Sequence, residues 1–435
     1  MKNKHLIVIS VDALVYEDLE YAKTLPHFGK ILENGTLIKK VRTIYPSLTH
    51  PVHASIITGC PAGVTGIYSN EVFSVTKDKK PWFNFLDQLK CDTILHAAKR
   101  AGLTTAVCRW PVTAGKGDII DYLIPEFFQE YLKGFEDDPV GAYKKIGAKD
   151  NVADIIAEMI KRYGTTNAHP EYDESQMFAA AEIIKKYKPN LTLIHPGYVD
   201  NARHRTGLFS DAVNDAISIT DKWIGWIIDA VKEAGIEENT DLVVLSDHGH
   251  LNICRTACPN VFLKDKGYIT TDAEGNITSW KAYVASCGLS AQVYLSDKAD
   301  KKLYEEVYDL LNQMASEKLY GFESVFTIDE LKDYGLSGNF SFVLETDGFT
   351  SFNEATDGSI IKTIDISDYR LAHSTHGHNP EKGPQPPFMA MGPSFKKGAS
   401  LETGNILNHA PTFAKVLGVE LPDAKGKAVE EILNL

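Results

Sequence analysis

Residues 6–12 read LIVISVD, a run of apolar, mostly β-branched side chains, with one small serine, that stops on a carboxylate. So short a run without polar alternation is what a strand buried on both faces requires, and such strands belong to parallel sheets covered by helices. The pattern returns at 104–109, 191–195, 242–246 and 388–391. Amphipathic stretches lie between, at 151–163, 175–187 and 211–234; the last places Ala212, Ala216, Ile219, Trp223, Ile227 and Val231 near helical spacing. Strands alternating with helices predict an α/β fold: a doubly wound, mostly parallel sheet flanked by helices. Residues 255–365 break the rhythm with strand-like SAQVYLS (290–296) and FSFVLET (340–346), a helix around 301–316 and Gly-containing turns. PPFMAMG (386–392) and a closing helix at 411–417 then resume it. The chain therefore divides into a main domain, 1–254 and 366–435, and a smaller inserted α+β cap, 255–365.

Composition narrows the partners. The 435 residues carry 45 Lys+Arg against 58 Asp+Glu, a net charge of −13, which opposes a nucleic-acid polymer or an anionic membrane as partner. No apolar run approaches the roughly 18 residues of a membrane-spanning helix. MKNKH before LIVISV imitates a short signal peptide, but Asp12 interrupts the apolar stretch and no small-residue cleavage site follows. A cytoplasmic protein is expected. The six cysteines (Cys60, Cys91, Cys108, Cys254, Cys258, Cys287) are too sparse for a disulfide framework, and Cys254 and Cys258 lack a second pair to complete a zinc site.

Chemistry collects at the strand ends. The run at 6–11 leads into Asp12, the run at 191–195 into Asp200, and the run at 242–246 into Asp247 and His248. Ligands of open α/β sheets bind outside the carboxyl ends of the strands, so these groups are placed to converge. Three carboxylates in one crevice repel one another unless cations separate them. His204 follows Asp200 at helical spacing, and His376 lies in HSTHGHN (373–379) with His373 and His378 beside it. Singly, each fragment is ordinary: a solvated helix face, a turn, a helix cap. Jointly they describe two His/Asp sites with open positions, which suit two Zn2+, with Mn2+ possible. In TIYPSLTHPVHASIITG (43–59), Pro51 suits a first helical turn, 52–58 continue it and Gly59 ends it. Ser47 or Thr49 would stand at that helix start, where a metal-bound hydroxyl becomes a nucleophile; without a metal, Thr49 is simply an N-cap. His50 and His53 are available as bases.

These residues carry a family likeness. YPSLTHPVHASIITGCPAGVTGIYSN (45–70) resembles the nucleophile region of the nucleotide pyrophosphatase/phosphodiesterase family of the alkaline phosphatase superfamily. That family reads aromatic-Pro-Ser/Thr-x-Thr-x-Pro-Asn-His, then Thr-Gly, Gly-Ile and an Asn. VDNARHRTG (199–207) is similar to its Val-Asp-x-Ala-Gly-His-Arg-x-Gly, SDHGH (246–250) to its Ser-Asp-His-Gly-Met, and THGHNP (375–380) to its Thr-His-Gly segment. The tail NHAPTFAKVLGVELPDAKGKA (408–428) resembles the superfamily's closing region. The resemblance implies an alkaline phosphatase-like fold and a zinc-dependent phosphodiesterase or nucleotide pyrophosphatase acting on a small phosphate-containing substrate. It implies Thr49 as nucleophile, a phosphothreonine intermediate, and Asn70 contacting the phosphate. It also implies one zinc on Asp200, His204 and His376, and the other on Asp12, Thr49, Asp247 and His248. Four departures bear on the pocket: Val52 replaces an Asn, Arg203 a Gly, His250 a Met, and His195 stands where many relatives carry an aromatic residue.

Substrate preference is the open part. Phosphonoacetate hydrolases and phosphomonoesterases share the pattern, and a carboxylate-bearing or phosphonate substrate would draw on Arg203, Arg205 or Lys77–Lys80. An aromatic leaving group would need an apolar slot, for which Phe73, Trp82, Phe83 and Tyr198 are candidates, with His195 nearby in the chain order of the site. A non-catalytic metal-binding protein would lack a ligand or the nucleophile, and all seven are present. Neither a sulfatase Cys-x-Pro-x-Arg nor a Gly-x-Ser-x-Gly elbow occurs.

Overall fold

Strand His5–Ser10 occupies the middle of an eight-stranded sheet in the computed structural model, which describes residues 4–76 and 80–434. Residues 1–3 of the leader-like terminus, and Lys77 and Lys79, lie outside the described residues. The strand order is Ser400–Asn405, Thr36–Arg42, Phe388–Met391, Thr240–Leu245, His5–Ser10, Leu191–Ile194, Thr105–Cys108, Tyr122–Ile124. All run parallel except Phe388–Met391, which is antiparallel to both neighbours.

The central strand is buried along its whole length because its side chains supply two cores. Successive residues point to opposite faces, so Leu6 and Val8 join Leu193, Val243 and Leu245 in one apolar layer. Ile7 and Ile9 join Ile194, Leu242 and Val244 in the other. Each such side chain contributes about 1.5–3 kcal/mol on burial. Helices Ala153–Tyr163, Glu171–Tyr187 and Asp211–Glu233 cover the second layer. The fold is thus the expected doubly wound, mostly parallel sheet flanked by helices.

Three strands escaped the pattern of apolar runs: Thr36–Arg42, Tyr122–Ile124 and Ser400–Asn405. They lie toward the edges, where TLIKKVR and SLETGN keep polar side chains in water. Lys39 and Glu402 pair across that edge, which also discourages strand addition.

Within 255–365, Ala282–Ser286, Ser290–Leu295, Phe342–Thr346 and Phe322–Thr327 form an antiparallel sheet backed by helix Lys301–Glu317. Its apolar face is continuous with the layer containing Leu6 and Val8. Among the described residues, no helix is long and apolar enough to cross a membrane.

The sheet brings Asp12, Arg109, His195 and Asp247 to one crevice, just past the ends of four neighbouring strands. Ala13 takes a left-handed conformation (φ 58°) that turns the chain sharply behind Asp12. Its N–H then donates to Asp247 Oδ1 at 3.1 Å, tying two strand ends together.

Candidate active site

Thr49 opens helix Thr49–Thr58, which ends at Gly59 in the left-handed conformation (φ 69°) that glycine tolerates best. The helix begins earlier than Pro51 indicated, so the proline occupies its third position. The two hydroxyls left open by the sequence now separate. Ser47 Oγ donates to the His378 carbonyl (2.9 Å) and accepts from Gly377 N–H (3.1 Å), so it fastens the loop carrying His376. Thr49 Oγ1 lies 3.3 Å from His248 Nε2 and faces the crevice. Asn70 Oδ1 accepts the His50 N–H at 3.0 Å, which turns the amide NH2 of Asn70 toward the Tyr369 hydroxyl and the cavity that both residues line. Val52 N–H goes to Leu48 O and Pro51 has none, so the helix start offers fewer free amides than its position implied.

Neither base candidate reaches the Thr49 hydroxyl. His53 donates Nδ1–H to the Thr49 carbonyl (2.7 Å) and meets Ser10 Oγ through Nε2 (2.9 Å). His50 pairs with Glu126 at 3.1 Å.

The carboxylates and imidazoles form two touching groups. Asp12 Oδ2 meets His195 Nε2 at 3.0 Å, while Asp12 Oδ1 and Asp247 Oδ2 lie 3.5 and 3.2 Å from His248 Nε2. Around Asp200, Oδ2 is 3.3 Å from His204 Nε2, and Oδ1 is 2.7 Å from His250 Nε2 and 3.8 Å from His376 Nε2. The His248 and His376 rings stack at 3.8 Å and join the two groups. Burial, then the charge of Asp200, pushes Asp12 well above the usual carboxylate range. Burial, then Asp12, does the same to Asp247. Burial opposes ionisation of Asp200 as well, but His204 and His250 hold it well below the usual range. Burial depresses His248 and His250, and brings His376 down to about 4, so these imidazoles are neutral.

This donor set fits metal ions. His204 Nδ1–H donates to the Ser374 carbonyl (2.8 Å) and His376 Nδ1–H to the Ser47 carbonyl (3.1 Å). Their Nε2 atoms therefore face the Asp200 carboxylate, at 3.3 and 3.8 Å, in position to meet an ion beside it. Asp12 Oδ1, Asp247 Oδ2 and His204 Nε2 are buried without a hydrogen-bond partner, at a cost that a cation removes. Two groups are close enough to hold an ion: Asp200, His248, His250 and His376, and Asp12, Asp247 and His248. His204 and Thr49 stand outside these two groups but adjoin them, 3.3 Å from Asp200 and 3.3 Å from His248, so Asp12, Thr49, Asp200, His204, Asp247, His248 and His376 lie in one place. His250 is an addition; its signal was a metal-binding side chain where the family pattern has Met.

The adjoining cavity, about 320 Å³, is walled by Trp82, Phe128, Tyr172 and Tyr369, with Arg109, Glu126 and His169 among its polar groups. Of the residues expected to bind substrate, Trp82 and His195 line it. Four are elsewhere, each for a packing reason. Phe73 stacks on Tyr294 of the insert, ring centroids 3.4 Å apart, and Phe83 packs edge-on to Tyr68. Tyr198 packs beside Trp223. Arg203 is fully buried, its guanidinium held by Asp18 and by the Ala13 and Leu208 carbonyls. Lys80 pairs with Glu354 in a separate cavity of about 490 Å³. Among the described residues, none of 255–365 lines the cavity at Thr49. Arg109 was within reach of sequence reasoning: it ends the run at 104–109, as Asp12 follows its own run.

The sheet and its helices have the alkaline phosphatase-like fold, and buried His/Asp groups able to hold metal gather at the strand ends. Residues 6–345 match the sequence model of the type I phosphodiesterase / nucleotide pyrophosphatase family, and the chain belongs to that family. It is 24% identical over 440 residues to the human ectonucleotide pyrophosphatase/phosphodiesterase family member 5, covering 99% of this chain and 78% of that protein. It is 24% identical over 250 residues to a venom phosphodiesterase of Naja atra, covering 56% of this chain and only 26% of that protein. Among solved structures, an inactive form of the murine member 5 in complex with AMP superposes with a TM-score of 0.69 at 18% identity, covering 99% of this chain and 100% of that one.

Proposed function

We propose that this chain hydrolyses phosphodiester or pyrophosphate bonds of small nucleotide-like molecules, with two metal ions and Thr49 as nucleophile. The observation that carries the reading is the Thr49 hydroxyl beside a convergent set of unpartnered acceptors, while the competing Ser47 hydroxyl is committed to the His376 loop. Asp200, His204 and His376 would hold one ion, and Asp12, Thr49, Asp247 and His248 the other, with Zn2+ the expected metal and Mn2+ the alternative. When bound, the ions supply the positive charge that makes a hydroxyl acidic and neutralises the reacting phosphoryl group.

The chain's own groups then divide the work. Thr49 Oγ1 loses its proton to solvent and attacks phosphorus; the bond to the leaving oxygen breaks, and the phosphoryl group is left esterified to Thr49. Water attacks the same phosphorus in line, breaks the bond to Thr49 Oγ1 and restores the hydroxyl. The Asn70 amide donates to a non-bridging oxygen as its charge grows. His195 holds Asp12 through Oδ2, which keeps Oδ1 turned into the site.

Trp82 and Phe128, ring centroids 5.4 Å apart, supply an aromatic wall for a nucleobase or an aromatic leaving group. The AMP complex of the murine relative supports a ligand of that size on this fold. Of the cations expected for a carboxylate-bearing substrate, as in phosphonoacetate hydrolysis, Arg203 is bound to Asp18 and Lys80 to Glu354.

Turnover of p-nitrophenyl monoesters, p-nitrophenyl diesters, a dinucleoside polyphosphate and phosphonoacetate, measured with metal content, tests this. The diester and the dinucleoside polyphosphate are expected to lead, with two ions per chain. Negligible diester turnover beside phosphonoacetate would overturn the substrate assignment.

A further inference from the structure

The family pattern has Met where this chain has His250, yet His250 is built into the site as its established-looking neighbours are. Gly249 makes the turn possible, since a Cβ there would lie 2.2 Å from the Pro384 carbonyl oxygen. The chain then pairs Leu251 with Thr375 and Asn252 with Ser374, which brings the 250 segment alongside the one carrying His376. The His250 side chain is fully buried, 5.1 Å from the His376 ring and 4.5 Å from the His204 ring between centroids.

Its hydrogen bonding repeats theirs. Ser374 donates its hydroxyl proton to the Arg203 carbonyl at 2.7 Å, so Ser374 Oγ accepts from His250 Nδ1–H at 3.0 Å. Nε2 faces Asp200 Oδ1 at 2.7 Å. His204, His376 and His250 therefore all anchor Nδ1 on an acceptor and present Nε2 to the same carboxylate, the tether that orients metal-ligating histidines. His250 also offers a donor atom within 4.8 Å of those of Asp200, His248 and His376, close enough for one ion to meet it.

We infer that His250 is a protein ligand of the ion held at Asp200, giving that ion three imidazoles and a carboxylate. The inference rests on the metal reading above and concerns a residue which that reading leaves out. A four-donor set holds its ion more firmly than a three-donor set, and it admits substrate only on an ion that accepts a fifth donor.

The test is titration of metal-free protein with Co2+, followed by visible absorption and elemental analysis, for the native chain, His250→Met and His250→Gln. Gln keeps a hydrogen-bonding side chain at the position but no imidazole. Two Co2+ are expected on the native chain, with a 10–100-fold loss of affinity for one of them and an altered visible band in both variants. Native affinity and spectrum in both variants would overturn the inference. So would recovery by Gln alone, which would make His250 a positioning residue for Asp200. Should the variants fail to fold, the Co2+-loaded native chain decides by NMR. Four hyperfine-shifted exchangeable ring protons are expected, from His204, His248, His250 and His376; three would overturn the assignment. A native chain that took up no Co2+ would defeat the metal reading itself, a result distinct from unchanged variants.

Discussion

Thr49 and Ser47 are two positions apart and chemically alike, yet their surroundings assign them different work. Ser47 has both a donor and an acceptor partner in the His376 loop; Thr49 Oγ1 has only His248 Nε2 nearby. Thr49→Ala is accordingly expected to cut turnover by at least about a thousandfold while one ion or both stay bound, read by steady-state kinetics beside elemental analysis. Asn70→Ala should lower kcat about 10²–10³-fold with a smaller effect on KM, since the amide serves the charge that develops in the reaction. Arg203 makes the opposite case. Its guanidinium meets Asp18 in the interior, so Arg203→Leu leaves a buried carboxylate alone and should cost about 3–5 kcal/mol in urea unfolding. The variant's folded fraction should keep its KM. A raised KM with native stability would restore Arg203 to the substrate pocket.

At the scale of elements, the site is a consequence of strand ends and two tight loops. Asp12, Asp200, Asp247 and His248 were legible because each follows an apolar run, and a parallel sheet puts such ends together; Thr49, His204 and His376 were legible through the family resemblance. The pocket walls were not. Phe73, Phe83 and Tyr198 are aromatic like Trp82, and only tertiary packing decides which aromatic side chains face a cavity and which fill a core. Phe128 and Tyr172 reach the cavity from a connection and a helix that sequence spacing ties to nothing. The loop holding His376 depends on Gly377, which has φ 96° and would place a Cβ 1.8 Å from the Cys287 carbonyl oxygen. Gly377→Ala should therefore displace His376 and weaken binding of one ion, with little effect on the other; isothermal titration with Zn2+ reads the two steps separately.

For the molecule as a whole, the acidic balance of −13 and the proposed phosphate-handling site are compatible, because two dications would outweigh the three aspartates proposed to hold them. Burial of neutral histidines also makes the fold acid-sensitive away from the site. His409, packed against Phe388 and Phe413, is lowered by burial to about 3 from an ordinary value near 6.5. The unfolded chain therefore binds the extra proton first, so its contribution is fully present above about pH 6.5 and falls as pH drops toward 3, at up to about 1.4 kcal/mol per pH unit. His409→Leu should flatten the dependence of urea stability on pH across that window; an unchanged slope would show that His409 is not buried neutral.

The central claim, that Thr49 takes the phosphoryl group before water does, is tested most directly by stereochemistry. A phosphorothioate diester of known configuration, hydrolysed in isotopically labelled water, reports the number of in-line displacements at phosphorus. Two displacements through Thr49 predict retention of configuration; inversion would mean that water attacks the substrate directly and would contradict the account.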